Sequence, residues 1–183
     1  MNGLEKWAKT LLLTYDCYEI VADSIDRYIE ERGRASLYST LMTASANSSR
    51  AVCHELGRLM CKKVDLINLK VLVEQTLDRM TPRFARVLIL RYFDDMTIEQ
   101  IADVMGVTAR TVSRNLGLAI EEMAEKLAEQ GYTDKHLCGF CATNKWIMSL
   151  FMQPYTKELN AFMDIPAIKC RLARMGVLGV RSY

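Results

Sequence analysis

Apolar residues recur every three or four positions along most of this chain, and that period is typical of amphipathic α-helices. The first such pattern runs from Leu4 to about Arg32, and we expect Gly33 to end the helix. Its apolar face consists of Leu4, Trp7, Ala8, Leu11, Tyr15, Tyr18, Val21, Ala22, Ile25, Tyr28 and Ile29. This face either packs onto the following helix, as most amphipathic faces do, or forms a dimerising or partner-contacting surface.

A connection is expected next, because residues 34–49 are rich in Ser, Thr, Ala and Asn and carry no acid. Ser48 or Ser49 can then cap a second helix that runs from about Arg50 to Arg79. The apolar face of this helix is predicted to consist of Val52, Leu56, Leu59, Met60, Val64, Ile67, Val71, Leu72 and Leu77. The first two helices are therefore expected to form a long antiparallel pair. The local excess of bases on the second helix indicates a solvated face or a phosphate-contacting surface.

A third helix is predicted to begin at Thr81 and Pro82, with the threonine as cap and the proline at the first helical position. It extends to about Asp95. Its apolar side chains supply a core behind the residues that follow, and they are Phe84, Val87, Leu88, Leu90, Tyr92 and Phe93.

Residues 97–120 predict two short helices that meet at a tight corner. Thr97 can cap the first helix, and Gln100 completes a capping box. Gly106 supplies a left-handed residue that ends this helix, and Thr108 can cap the next one. Two capped helix starts around one glycine are a strong local signal for a bend.

The spacing at this corner is that of a helix-turn-helix motif. Ala102 is small enough for two backbones to cross closely, Gly106 follows four positions later, and Val112 follows after six more. The stripe on the second helix consists of Val112, Leu116, Ala119, Ile120, Met123 and Leu127. Arg110, Thr111, Ser113 and Arg114 lie largely off that stripe. The alternative is an ordinary helical hairpin inside a bundle.

The distribution of charge along the motif supports DNA binding, whereas the net charge of the surrounding segment does not. Between Leu77 and Gln130 there are seven bases, Arg79, Arg83, Arg86, Arg91, Arg110, Arg114 and Lys126. The nine acids are Asp78, Asp94, Asp95, Glu99, Asp103, Glu121, Glu122, Glu125 and Glu129. This balance argues against strong non-specific DNA affinity. No acid lies between Asp103 and Glu121, however, so the start of the second helix can face phosphates and bases.

The stretch LDRMTPRFARVLILRYFDDMTIEQIADVMGVTARTVSRNLGLAIEEMAEKL resembles region 4 of bacterial sigma factors. It is similar also to the sigma-like regulators carried by phages of Gram-positive bacteria, within the winged-helix-like superfamily. The resemblance covers about Leu77 to Leu127. It implies that the last helix of the motif enters the major groove at the −35 promoter element.

The resemblance places the family's base-reading positions on Ala109, Arg110, Ser113 and Arg114. The housekeeping sigma pattern has Arg-Glu at the first pair and Arg-Gln at the second, so the resemblance carries over the docking mode rather than a sequence preference. Asn115 stands where the family often has an apolar residue.

We expect the complete DNA-binding set to be Thr97, Thr108, Ala109, Arg110, Thr111, Ser113, Arg114 and Asn115. Arg83, Arg86 and Arg91 are expected to touch the DNA backbone from outside the groove, which positions a protein without specifying sequence.

Three segments are predicted: an N-terminal helical segment, residues 1–76; a region-4-like DNA-binding domain, residues 77–131; and a basic and apolar tail, residues 132–183. We expect short helices around 145–152 and 155–163 in the tail. The tail can fold back over the N-terminal helices, supply a basic arm to DNA, or bind a partner.

Composition excludes several other classes of protein. The 183 residues are 50% apolar with a net charge of +2, and no segment has the uninterrupted apolar length of a membrane span or a signal peptide. The six cysteines lack the spacing of a disulfide framework, so a cytoplasmic chain with reduced thiols is expected. His136, Cys138 and Cys141 contain a single C-x-x-C pair, which is weak evidence for zinc.

The sequence therefore predicts an all-α protein that is not an enzyme, with no cofactor and no metal. Its predicted function is sequence-specific transcription regulation through a promoter or operator in double-stranded DNA. The alternative is a helical module that docks onto RNA polymerase or another regulator without reading DNA. A homodimer through the N-terminal helices is a further possibility, and no contact with membranes is expected.

Overall fold

The computed structural model describes residues 3–43 and 46–152, and all regular structure in this part of the chain is helical. The helices are α1 (Gly3–Thr43), α2 (Ala46–Asp78), α3 (Pro82–Tyr92), α4 (Ile98–Met105), α5 (Ala109–Glu129), α6 (Asp134–Cys141) and α7 (Lys145–Met152). The predicted all-α class, with long N-terminal helices followed by a helix-turn-helix, is confirmed.

The first two helices lie antiparallel along most of their length, as predicted. Polar contacts between them show this direction, because partners early in α1 lie late in α2. The Tyr15 hydroxyl donates to Glu74 at 2.6 Å, whereas the Tyr28 hydroxyl, further along α1, donates to Glu55 at 2.9 Å.

The predicted connection between these helices is wrong. Helix α1 continues through Gly33 to Thr43, and α2 already begins at Ala46, so Ser48 and Ser49 lie inside α2 instead of capping it. Gly33 does not adopt a positive φ. A glycine inside a helix costs about 1 kcal/mol relative to alanine, and the long flanking helix tolerates this because propensity is only a weak preference.

The predicted apolar face of α2 is wrong in part. Met60, Val64, Ile67 and Val71 are exposed, while Leu66, Leu69 and Val73 are buried with the expected Val52, Leu72 and Leu77. Helix α2 carries apolar residues on more than one face. The positions of its partner helices decide which of these faces is buried.

One large core joins residues from α1, α2, α3, α5, α6 and α7. Trp7 and Leu11 of α1 are fully buried in it, together with Met123 and Leu127 of α5. Most of the apolar face of α1 thus packs inside the molecule, as the first alternative predicts, while Tyr28 of that face is 43% exposed. A homodimer through the N-terminal helices stays a prediction.

The beginning of the predicted tail folds back onto α1. Trp7 stacks on Phe151 of α7 with ring centroids 3.9 Å apart, and its indole N–H donates to Asp134 of α6 at 2.6 Å. Helix α7 was expected, whereas α6, capped by Thr133, was missed. The predicted helix around 155–163 lies outside the described residues.

No helix within 3–43 and 46–152 is long and apolar enough to cross a membrane.

Candidate nucleic-acid interface

Helix α3 forms the support behind the motif. Val87, Leu88, Leu90 and Tyr92 are buried, as predicted. Thr81 precedes this helix, but its side chain does not cap it. Both the backbone N–H and the hydroxyl of Thr81 instead donate to the Glu122 carboxylate of α5, at 2.8 and 2.9 Å. A carboxylate at the start of α3 also interacts favourably with the helix dipole.

The first helix of the motif begins and ends as the sequence predicts. Thr97 and Gln100 form both hydrogen bonds of a capping box at the start of α4. Gly106 ends α4 with φ 65° and ψ 35°, a left-handed conformation. The N–H of Val107 then donates to the carbonyl of Ala102 at 3.0 Å, which closes the corner.

A small second core holds the two helices of the motif together. It consists of the buried residues Leu90, Ile101, Ala102 and Val112. Half-buried Met96, Met105, Val107 and Leu116 surround it. Ala102 has the crossing position predicted for it. The first turns of α5 therefore pack on this small cluster, whereas its later turns pack in the large core.

Helix α5 begins at the predicted cap. The Thr111 N–H donates to the Thr108 hydroxyl oxygen at 3.3 Å, and the two hydroxyls lie 2.9 Å apart. The other first-turn N–H groups give this end a partial positive charge.

The side chains predicted to read DNA lie at this positive end. Ala109, Arg110, Ser113 and Arg114 are all exposed. Within residues 3–43 and 46–152, no acid forms an ion pair with Arg110 or Arg114. Both guanidinium groups are thus available to an external anion or base edge. Thr97 is also exposed, with its hydroxyl oxygen engaged by the α4 cap.

The structure contradicts one predicted DNA contact. Asn115 is 6% exposed and lies on the inner face of α5 with Val112 and Ala119. An inward side chain cannot reach a base in the groove. The sequence already indicated this burial, because Asn115 stands at a position where region 4 often has an apolar residue.

Two further residues lie on the outer face of α5. The sequence already marks Glu121 as the acid that ends the acid-free stretch, whereas Gly117 was missed. Gly117 is exposed and three residues after Arg114, and Glu121 is exposed and seven residues after it. Seven residues are close to two helical turns, so Glu121 lies nearly above Arg114 and about 10.5 Å further along α5. The outer face of α5 thus begins with basic side chains, has no side chain at Gly117 and carries an acidic side chain at Glu121. Sequence order along one helix face could have revealed this.

The three arginines of α3 divide into two groups. Arg91 is half-buried, and one of its guanidinium N–H groups donates to the Met96 carbonyl at 2.8 Å. It therefore braces the turn between α3 and α4. Arg83 and Arg86 are exposed, and their contact with the DNA backbone stays a prediction.

The weak zinc motif lies on α6. Cys141 is buried, and its burial raises the pKa of the thiol to about 12. The His136 ring lies 3.0 Å from the carbonyl of Gly131. Among the described residues, no three His, Cys, Asp or Glu side chains are grouped so that they can hold a metal ion.

Comparison with known proteins finds one family. The model of Sigma-70, region 4 matches residues 70–127, which are 58 of the 183 residues. No curated protein and no solved structure matches the chain. The match supports DNA-binding transcription regulation, by a non-enzymatic helix-turn-helix domain, as the general function of these residues. The particular likeness to phage regulators stays a prediction.

Proposed function

We propose that this protein reads double-stranded DNA with the first two turns of α5 in the major groove and thereby regulates transcription at specific promoters or operators. The observation that carries the proposal is the exposure of Arg110 and Arg114, without an ionic partner in the described residues, at the capped start of a helix in a region-4-like motif. Each guanidinium can donate two hydrogen bonds to one guanine.

The outer face of α5 supports this docking mode because its chemistry changes along the helix. Arg110 and Arg114 are one turn apart and can reach neighbouring base pairs. Ser113 and Thr111 can bind a base edge or a phosphate beside them. Glu121 repels phosphates, so we expect the contact with DNA to end before the third turn of α5 is complete.

Arg83 and Arg86 are proposed to contact phosphates outside the groove. These contacts add affinity without sequence preference. Because the segment as a whole carries more acids than bases, contacts with bases have to supply a large share of the affinity.

Selection of bound sequences from random double-stranded DNA tests this proposal. The wild-type protein should select a defined site. Arg110→Ala or Arg114→Ala should relax the preference at one base position, at a cost of about 1–3 kcal/mol in discrimination. Arg58→Ala is the matched control, because it removes an equal charge from an exposed position on α2.

The control variant should select the same site as the wild type. If Arg110→Ala and Arg114→Ala both keep the wild-type site preference at full strength, α5 does not read bases and the proposal is wrong.

A second candidate function is docking onto RNA polymerase or another regulator without DNA reading. The observation that favours it is the acidic balance of the segment around the motif. A salt titration separates the two functions. DNA affinity that rests on several phosphate contacts falls steeply with added salt, whereas an apolar protein interface responds weakly.

A further inference from the structure

Helix α2 has an apolar face that the described residues, 3–43 and 46–152, leave open. Met60, Val64, Ile67 and Val71 are 58%, 53%, 44% and 40% exposed. These four residues follow each other along one side of the helix, whereas Leu66, Leu69 and Val73 point into the core. Scattered exposed apolar residues are ordinary, but a continuous row of them indicates a binding surface.

The spacing of this row is that of a coiled-coil seam. Exposed Cys53 and Gly57 extend it towards the start of α2. We call the complete row the α2 stripe, and its members are Cys53, Gly57, Met60, Val64, Ile67 and Val71. Successive steps of four, three, four, three and four residues alternate as the d and a positions of a heptad repeat do, the sequence pattern of a left-handed coiled coil. Valines occupy two a positions of this heptad pattern, at 64 and 71.

The two flanks of the α2 stripe differ in charge. On one flank, Lys63 contacts Asp26 at 2.6 Å and Lys70 contacts Glu19 at 2.9 Å, so α1 already balances both lysines. The other flank carries the uncharged residues Cys61, Asn68 and Gln75.

We propose that the α2 stripe is the seam of a parallel two-stranded coiled coil formed with α2 of a second copy of this chain. Val64 and Val71 are β-branched residues at a positions, the type that two-stranded parallel coiled coils favour there, while the d positions carry Cys53, Met60 and Ile67 rather than leucine. Parallel pairing sets the lysine flank of each copy beside the uncharged flank of the other. Antiparallel pairing in the same register instead sets the two lysine flanks beside each other.

Gly57 is consistent with a seam position. A Cβ atom added to it meets no other atom of the described chain within 4 Å, so internal packing does not require glycine there. A bare backbone at a seam position lets a second helix approach closely.

Such a dimer presents two motifs at the same end of the paired α2 helices. A two-fold arrangement of this kind fits a site with two half-sites. The proposal does not depend on DNA binding, because the dimer forms through α2 alone and is measured without DNA.

Sedimentation velocity of the full chain over a range of concentrations tests the dimer. The wild type should pass from monomer to dimer as concentration rises. Val64→Lys should raise the dissociation constant about tenfold or more, because it puts an unpaired charge into the seam. Val104→Lys is the matched control: Val104 is 49% exposed on α4, outside the α2 stripe, and its replacement should leave the dimer unchanged.

Circular dichroism should show equal helix content in both variants, since both valines are half exposed. A wild type that stays monomeric at every concentration overturns the proposal. A dimer that Val64→Lys leaves intact overturns it as well.

Native cysteines test the direction of pairing. In a parallel dimer Cys53 faces Cys53 of the second copy, whereas antiparallel pairing brings the two Cys61 thiols together. Mild oxidation with diamide, which accepts two electrons and two protons as the disulfide forms, should link the wild type. Cys53→Ser should abolish the covalent dimer, and Cys61→Ser should retain it. The reverse result overturns the parallel arrangement.

Discussion

Asn115 is a polar residue in an apolar position of α5. It is 6% exposed, and its side-chain Nδ2 has no hydrogen-bond partner among the described residues. A buried polar group without a partner costs about 1–3 kcal/mol. The unpaired amide of Asn115 therefore lowers the stability of the helix that we propose to read DNA.

We expect Asn115→Leu to raise the free energy of unfolding by about 1–2 kcal/mol, because it removes the unpaired amide and keeps a similar volume. Urea denaturation measures this change. Asn144→Leu is the matched control, since Asn144 is equally buried but its amide donates to the Thr143 hydroxyl at 3.2 Å. That variant should be destabilised, and destabilisation of Asn115→Leu as well would contradict our reading of the Asn115 amide.

Gly117 lies on the outer, exposed face of α5, whereas Asn115 lies on the inner face. A Cβ atom added there meets nothing within 4 Å in the described chain. A helical glycine costs about 1 kcal/mol relative to alanine, and no packing contact within residues 3–43 and 46–152 requires glycine at this position. The proposed docking mode supplies a reason, because a bare backbone lets DNA approach closely.

Gly117→Ala should therefore stabilise the free protein by up to about 1 kcal/mol and weaken its binding to the selected DNA site. Thermal unfolding and a fluorescence titration with DNA measure the two effects. Equal or tighter DNA binding by this variant would show that the face at Gly117 lies away from DNA.

At the scale of single elements, two glycines show how tertiary context changes the meaning of a residue. Gly106 adopts φ 65° and ends α4, as the sequence predicts. Gly33 lies inside α1, although the sequence predicts that it ends the helix. The difference arises because Thr108, two residues after Gly106, caps a new helix, whereas helix-compatible residues follow Gly33.

Substitution by alanine should have opposite effects at these two positions. Gly33→Ala should raise the free energy of unfolding by up to about 1 kcal/mol, because alanine favours the helix and the added Cβ has open space. Gly106→Ala should lower it by about 1 kcal/mol or more, because alanine is strained at positive φ. Chemical denaturation of both variants checks this. A loss of stability in Gly33→Ala would support a helix end at Gly33.

Helix α2 shows where pattern reading fails. Its apolar residues cover more than one face, so periodicity alone cannot say which face meets the core. Packing against α1, α5 and α6 selects the face with Leu66 and Leu69, and it leaves the α2 stripe outside.

At the scale of the whole molecule, α5 connects the two cores. Its first turns rest on the small cluster around Ile101 and Val112, and Met123 and Leu127 are embedded in the large core. This shared packing makes the N-terminal helices part of the support for the proposed DNA-reading face. The division at residues 76 and 131 stays a sequence prediction.

The large core also contains acidic groups that are neutral in the folded state. Desolvation raises the pKa of the Cys17 and Cys141 thiols from 9.0 to about 12. Desolvation, followed by the hydrogen bond to Glu74, raises the pKa of Tyr15 from 10.0 to about 12. The unfolded chain therefore loses these protons at lower pH than the folded chain does.

Because the folded state holds these protons more tightly, its stability should be fully present below about pH 9 and decrease as the pH rises from 9 to 12. Urea denaturation between pH 7 and 11, with a reductant present, measures the decrease. The double variant Cys17→Ala/Cys141→Ala should lose less of its stability over this range. An alkaline decrease as steep as that of the wild type would exclude the two thiols as its cause.

The sequence alone was sufficient for the helical class, the capped corner at Gly106 and the outward position of Arg110 and Arg114. These features depend on residues within a few positions of one another, and backbone conformation and capping act over that range. The tertiary structure decided the length of α1, the inward position of Asn115 and the exposure of the α2 stripe. Those outcomes depend on which helices meet in space, and the periodicity of a single helix does not contain that information.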